Sequence, residues 1–178
     1  VVGVIPAIEN LDIDEEDSVA LEAKRGISRK ELTIAVIQTP KISNFTDFDA
    51  LAYEPEVFVR YIQEGHSLGH PDLIVLPGSK NTLADLQYLK DTGLFDDILA
   101  LHKEGVPVLG ICGGYQMLGS HLYDPHHTES DLSEVDGFGL LPTDTTMLDK
   151  KQTHQVTFSV NKLAPLNMDY SGNRLDGY

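Results

Sequence analysis

The chain is short of basic residues, cysteines and long apolar runs, and each shortage narrows what it can be. Its 13 lysines and arginines stand against 28 aspartates and glutamates, a formal net charge of −15. Nucleic acid and anionic membrane surfaces both need a basic footprint, so neither is expected as a partner. The acidic runs at 12–17 and 124–136 read as solvated loops. A single cysteine excludes an internal disulfide. There is no run of about 18 apolar residues and no signal-peptide pattern, so the chain is expected to be soluble and cytoplasmic, with no membrane partner. It also lacks a G-x-x-x-x-G-K-[ST] phosphate loop. Its 178 residues suffice for one domain with a sizeable core and a fragment of another.

What is present centres on Gly105 to Gly119, GVPVLGICGGYQMLG. Val106, Pro107, Val108, Leu109 and Ile111 form an apolar run broken only by Gly110, which predicts a central buried strand. The run stops at Cys112. Gly113 and Gly114 then allow a sharp turn, and Tyr115 to Leu118 read as the first turn of a helix. This strand, turn and helix order places a nucleophile on an elbow, projecting from the C-terminal edge of a sheet toward the positive end of a helix. The amide of Gly113 is available there to meet a developing oxyanion. The plainer alternative is a buried structural cysteine.

Gly110, Cys112, Gly114 and Gln116 reproduce the G-x-C-x-G-x-Q elbow of class I glutamine amidotransferases. With Tyr115, Met117, Leu118 and Gly119, the stretch resembles the subgroup that contains the cobyric acid synthases. The resemblance implies an α/β fold of flavodoxin-like type, a doubly wound, mostly parallel sheet with helices on both faces. It makes Cys112 the catalytic nucleophile and assigns Gly78, Ser79, Gly113 and Gln116 to the oxyanion hole and glutamine binding.

Elsewhere the chain reads as follows. Residues 1–8 form a short strand, 9–17 an acidic loop and 18–25 part of a helix, with 26–31 as a linker. The first residues are similar to the end of an ATP-using synthetase domain. Residues 1–30 are therefore expected to be the tail of that domain and a linker, and 31–178 the amidotransferase domain, with the Val1 start and the Tyr178 end marking a piece truncated at both ends. Leu32 to Ile37 is the domain's first strand, and Gln38 to Asp49 an ordered loop without regular structure. That loop resembles the S-N-F-[ST]-D-F-D signature of cobyric acid synthases. Its Phe45 and Phe48 suit either stapling an Asn/Asp turn or facing a partner domain or substrate.

Ala50 to Gln63 reads as a short helix leading into a strand at Val57 to Ile62, and a buried strand at Asp72 to Leu76 follows. Pro77, Gly78 and Ser79 match the P-G-[GS] turn that supplies an oxyanion amide in this family. Thr82 to Asp85 fits a capping box ahead of a helix from about Leu83 to Lys90, and a second helix spans Leu94 to Lys103 with Leu94, Ile98 and Leu101 on one face. His121 to Gly139 reads as a long polar loop. Its DPHHTES segment departs from the family's D-P-x-G-x-E-S form by carrying His127 in the glycine position. Adjacent histidines diverge and no further ligand spacing supports His126 and His127, so no metal is expected. Phe138 to Leu141 and His154 to Val160 alternate like strands at a mixed sheet edge, His154 being an exposed strand residue.

For the longer protein, the resemblance implies ATP-dependent amidation of peripheral carboxylates of adenosylcobyrinic acid a,c-diamide, with glutamine as the ammonia source. ATP and magnesium would then serve the preceding synthetase domain, with no cofactor in residues 31–178. The family's base is a histidine in a G-Y-E-x-H segment. Gly177 and Tyr178 read as the opening of that segment, none of the seven histidines present stands in a matching context, and this piece alone is expected to be inactive. Two alternatives stand: an amidotransferase with another acceptor, such as a cobyrinate a,c-diamide synthase or a lipid II amidotransferase subunit, and a non-catalytic docking domain.

Overall fold

The computed structural model describes residues 32–150, 153–159 and 174–177. The strand, loop, helix and linker expected over 1–31 lie outside the described residues. The elements run β1 (Leu32–Ile37), β2 (Ile42–Ser43), a 3-10 turn (Phe45–Phe48), α1 (Asp49–Ala52), β3 (Val57–Ile62), β4 (Leu73–Leu76), β5 (Gly78–Ser79), α2 (Thr82–Asp91) and α3 (Leu94–Lys103). After them come β6 (Val108–Gly110), α4 (Gly113–Met117), β7 (His121–Tyr123), β8 (Glu134–Asp136), β9 (Asp144–Thr146), β10 (Val156–Ser159) and β11 (Arg174–Gly177).

Period-two alternation in β1 and β4 explains the layering, because successive side chains of a strand leave on opposite faces. Ala35 and Ile37 of β1, with Ile74 and Leu76 of β4, join one cluster that includes Leu83, Leu86 and Leu89 of α2 and Leu94, Ile98 and Leu101 of α3. Ile34, Val36 and Val75 point the other way and pack with Phe48. Leu51 of α1 lies partly buried against that second cluster. Helices thus cover both faces, thickly on one and thinly on the other. Each fully buried Leu or Ile contributes roughly 1.5–3 kcal/mol.

The main sheet has the order β3-β1-β4-β6, with all three pairings parallel. In order of appearance this is 2-1-3-4, the doubly wound α/β arrangement of the flavodoxin type. The chain crosses from one side of β1 to the other after β3. A crevice opens at such a switch point, between the loops that leave the carboxyl ends of the two flanking strands, here β1 and β4.

Several expectations are corrected. The strand before Cys112 is not central: β6 sits at the sheet edge among the described residues, and Leu109 is 48% exposed. In its apolar run Val106 and Val108 pack into the larger cluster and Ile111 against the smaller one, while Leu109 faces out. The stretch 38–49 contains regular structure, namely β2 and the 3-10 turn. Asn44 enters that turn in the left-handed region at φ 52°, a conformation asparagine tolerates. Residues 121–139 hold β7 and β8, which with β9 form a three-stranded sheet.

Residues 138–141 form no strand. Their amides serve the end of α4 instead: Phe138 N donates to Met117 O, Gly139 N to Gly119 O, and Leu140 N and Leu141 N to Leu118 O, at 2.8 to 2.9 Å. These are the carbonyls a helix terminus leaves without internal partners. β10 starts two residues after His154, which is exposed, and pairs antiparallel with β11 as a separate ribbon.

Candidate active site

Two adjacent strand ends build the site. β4 ends at Leu76, and Pro77 leads into β5, the Gly78–Ser79 segment. β6 ends at Gly110, and Ile111 leads to Cys112. Between them Ile111 N donates to Leu76 O at 2.9 Å, which extends the β4–β6 ladder to the elbow itself. Cys112 then takes φ 51°, ψ −112°. A non-glycine residue held there is strained by on the order of 1–3 kcal/mol, a cost tolerated where neighbouring structure fixes the conformation.

The fixing structure is visible. Gly114 N donates to Ile111 O at 2.8 Å, and Gln116 N to Cys112 O at 3.1 Å. A Cβ on Gly114 would lie 2.0 Å from Leu76 O, and one on Gly110 2.6 Å from Gly114 O and from Tyr115 Cα. Only glycine permits that approach of helix to strand. Cys112 itself is exposed, which removes the alternative of a buried structural thiol.

The structure brings the expected residues together. A Cβ on Gly78 would stand 3.8 Å from Cys112 Cβ, and one on Gly113 3.1 Å from Ser79 N. Gly113 opens α4, so its amide has no partner within the helix. Thr82 Oγ1 donates to Gln116 Oε1 at 3.4 Å, joining the elbow helix to the start of α2. The elbow helix is a single turn, five residues long, so its dipole contribution is smaller than a full helix would supply.

A layer that sequence reasoning missed lies beneath this cradle. Asp85, one residue into the second half of α2's first turn, is 1% exposed. Its carboxylate accepts from Thr39 Oγ1 at 2.7 Å, Ser79 Oγ at 2.6 Å and Lys41 N at 3.0 Å. Burial pushes its pKa up, and the hydrogen bonds from Ser79, Thr39 and Lys41, with the charge of Lys41, pull the other way without cancelling the rise. The expected capping box is therefore corrected. The cap is Asn81, whose side chain accepts from Ala84 N at 3.1 Å, and Asp85 faces the site. Its position three residues after Thr82 was the signal, and it fitted a local role equally well.

Two further contacts complete the surroundings. β2 pairs antiparallel with β5, Ile42 opposite Ser79 and Ser43 opposite Gly78, so the 38–49 loop braces the turn beside Cys112. Tyr61 Oη in β3 donates to Phe45 O at 3.1 Å, and Phe48 meets the Tyr61 ring edge-on at 6.5 Å, anchoring that loop to the sheet. Burial and then the Asp49 charge push the Tyr61 phenol up to about 12, so it stays a donor through the neutral range.

On the other side Glu129 Oε2 accepts from Thr82 N at 3.2 Å, and the Glu129 carbonyl accepts from Asn81 Nδ2. The 124–130 loop that presents it is wound on Asp124. That carboxylate accepts from Thr128 N and Oγ1 at 2.8 Å, Glu129 N at 2.8 Å and Ser130 N at 3.0 Å.

Residues 33–178 match the family model of the CobB/CobQ-like glutamine amidotransferase domain. The chain is 49% identical over 156 residues to a cobyric acid synthase of Desulforamulus reducens, covering 87% of this chain and 30% of that protein. It is 48% identical to the cobyric acid synthase of Streptococcus sanguinis and 46% identical to that of a Dehalococcoides mccartyi strain, across its whole length and 34% and 35% of theirs. The chain thus spans about a third of the curated relatives it matches.

Proposed function

This chain belongs to the CobB/CobQ-like glutamine amidotransferase domain family, and from that premise we propose that it is the glutaminase portion of a cobyric acid synthase. Its cysteine would free ammonia from glutamine, and the longer protein would use that ammonia to amidate peripheral carboxylates of a corrinoid, adenosylcobyrinic acid a,c-diamide, with ATP. The family description covers more than one acceptor. The relatives at 46–49% identity, all named cobyric acid synthase, favour this one over a cobyrinate a,c-diamide or lipid II amidotransferase.

The observation that carries the reading is an exposed Cys112, held in a strained elbow beside the Gly78–Ser79 turn. The Cys112 thiolate attacks the side-chain amide carbon of glutamine. The carbonyl oxygen becomes an oxyanion, met by the Gly113 amide and by the backbone of the Gly78–Ser79 turn. Collapse expels ammonia and leaves a γ-glutamyl thioester, which water hydrolyses to glutamate and free thiolate. Gln116, whose Oε1 accepts from Thr82 Oγ1, would bind the substrate. An exposed cysteine at such an elbow disfavours a purely docking role.

Ammonia must leave with a proton, so a general acid is required. Four histidines are engaged elsewhere: His102 with Val106 O, His121 with Asp136, His127 with Ser130 O and His70 with Glu104. From the family resemblance, the proton carrier is a histidine outside the described residues. By the same resemblance, ATP and magnesium would be held by the synthetase domain expected to precede residue 31; the sequence given carries no G-x-x-x-x-G-K-[ST] phosphate loop of its own.

The test uses the full-length synthase. Cys112→Ser should lower glutamine-dependent amidation of the corrinoid by on the order of 10³-fold or more, while amidation driven by added ammonium salt persists. Retention of glutamine-dependent amidation by the variant would overturn the assignment of the nucleophile. Loss of the ammonium-driven reaction as well would point to a role for Cys112 outside glutamine hydrolysis.

A further inference from the structure

Asp85 is an ionisable side chain at 1% exposure whose hydrogen bonds all go to the site's own walls. Nothing in the fold of α2 requires it, since the helix is capped by Asn81. A buried carboxylate costs free energy unless several donors meet it, and here three do. Two come from the loop after β1 and one from the turn after β4. We infer that Asp85 is a positioning residue for glutamine hydrolysis: it clamps Ser79 to the Thr39–Lys41 segment and thereby sets the backbone of the turn that faces Cys112.

The geometry supports a clamp with a fixed direction. Ser79 Oγ donates its single proton to Asp85 and accepts from Asn81 N at 3.0 Å, so its hydroxyl is used on both sides and cannot rotate toward the substrate. Thr39 Oγ1 shares the same carboxylate oxygen as Ser79. Lys41 O accepts from Lys80 N at 2.8 Å, a second tie between the two segments just beyond the pair Ile42 and Ser79. The turn next to the nucleophile is thereby held from two directions, by a backbone ladder and by one buried anion. Oxyanion donors act at full strength only when held before the charge develops, and a displacement of about 1 Å at a reacting centre costs on the order of 10² in rate.

The inference rests on the glutaminase reading and separates from it by experiment. In the full-length synthase, glutamine hydrolysis is measured for the wild type, Asp85→Asn, Ser79→Ala and the double variant, alongside the rate at which iodoacetamide alkylates Cys112. Alkylation needs an accessible thiolate and no oxyanion hole. Asn keeps the shape of the side chain, so the variant should fold. The expected result is a 10- to 100-fold fall in kcat for Asp85→Asn with KM within about threefold, alkylation within about twofold of wild type, and a double variant no worse than Asp85→Asn alone.

Additive losses in the double variant would overturn the clamp, as would an unchanged kcat. A parallel fall in alkylation would also overturn it, since it would mean general disorder of the site. If Asp85→Asn does not fold, Thr39→Val, which removes one donor to the same oxygen, decides by the same kcat and alkylation readouts. A wild type that fails to hydrolyse glutamine would overturn the glutaminase reading and this inference together. A normal wild type beside unaffected variants overturns the inference alone.

Discussion

His127 occupies a backbone position that its side chain does not favour. It has φ 52°, in the left-handed region where an L side chain crowds the following carbonyl. This accounts for the glycine of the D-P-x-G-x-E-S form at that place. The imidazole partly offsets the strain through Nδ1 and Ser130 O at 3.1 Å. His127→Gly should therefore raise stability, by up to about 1 kcal/mol, because relief of the left-handed strain exceeds the loss of one half-exposed hydrogen bond and the greater entropy of glycine in the unfolded chain. Chemical denaturation with an unchanged m-value would show it as a higher midpoint, and a lower midpoint would mean the ring contact outweighs the strain.

At the scale of elements, α2 carries more than its apolar face. Its cap, Asn81, accepts from Ala84 N and donates through Nδ2 to the Glu129 carbonyl, so one side chain both starts the helix and pins the 124–130 loop beside it. Asn81→Ala should cost about 1–2 kcal/mol, above the usual value for a lost cap alone, and thermal melting should register the drop. A Ser at the same position, which restores the cap without reaching the loop, should recover only part of it.

The same helix shows what was legible beforehand. The Leu83 to Lys90 helix, the Leu94, Ile98 and Leu101 face of α3, β1, and the turns at Gly78 and Cys112 all carried periodicity or glycine signals and stand where expected. The two-residue pairing of β2 with β5 has no period to detect, and β7 and β8 are three residues each within a polar stretch. The edge position of β6 was hidden because an apolar run reports burial without naming the neighbours that provide it. Asp85 was visible as a residue and invisible as a partner, since its donors lie 44 and 46 residues before it in the sequence and 6 before it.

For the whole molecule, acidification acts on stability in opposite directions through different groups. A net charge of −15 at pH 7 and an isoelectric point near 4.6 mean that self-repulsion weakens on acidification toward that point. Asp85 adds to this. Its folded pKa is raised, so lowering the pH through that raised value toward 3.8 favours the folded state. Asp124 does the reverse. Burial would raise its pKa, but the bonds from Glu129, Thr128 and Ser130 overrule it and hold the carboxyl well below the usual range.

Its contribution is therefore complete above the unfolded value of 3.8 and is lost as the pH falls below it toward the depressed folded value. Stability should hold or rise from pH 7 to about 5 and decline below about 4. The gap between wild type and Asp124→Asn should be widest above pH 5 and narrow below 4, as read by denaturant midpoints across that range. A gap independent of pH would show that Asp124 acts through packing and not through its charge.

The brace beneath the turn also has an order in time. Every donor to Asp85 lies within residues 39 to 79, and β2 and β5 lie within the same span, so the clamp and the ladder it reinforces need nothing that follows Asp85 in the chain. A ribosome releases residues N-terminus first, and domains condense as their contacts become available. The carboxylate and its three donors therefore all leave the ribosome ahead of Cys112, and the thiol is the last of these groups to reach the turn it faces.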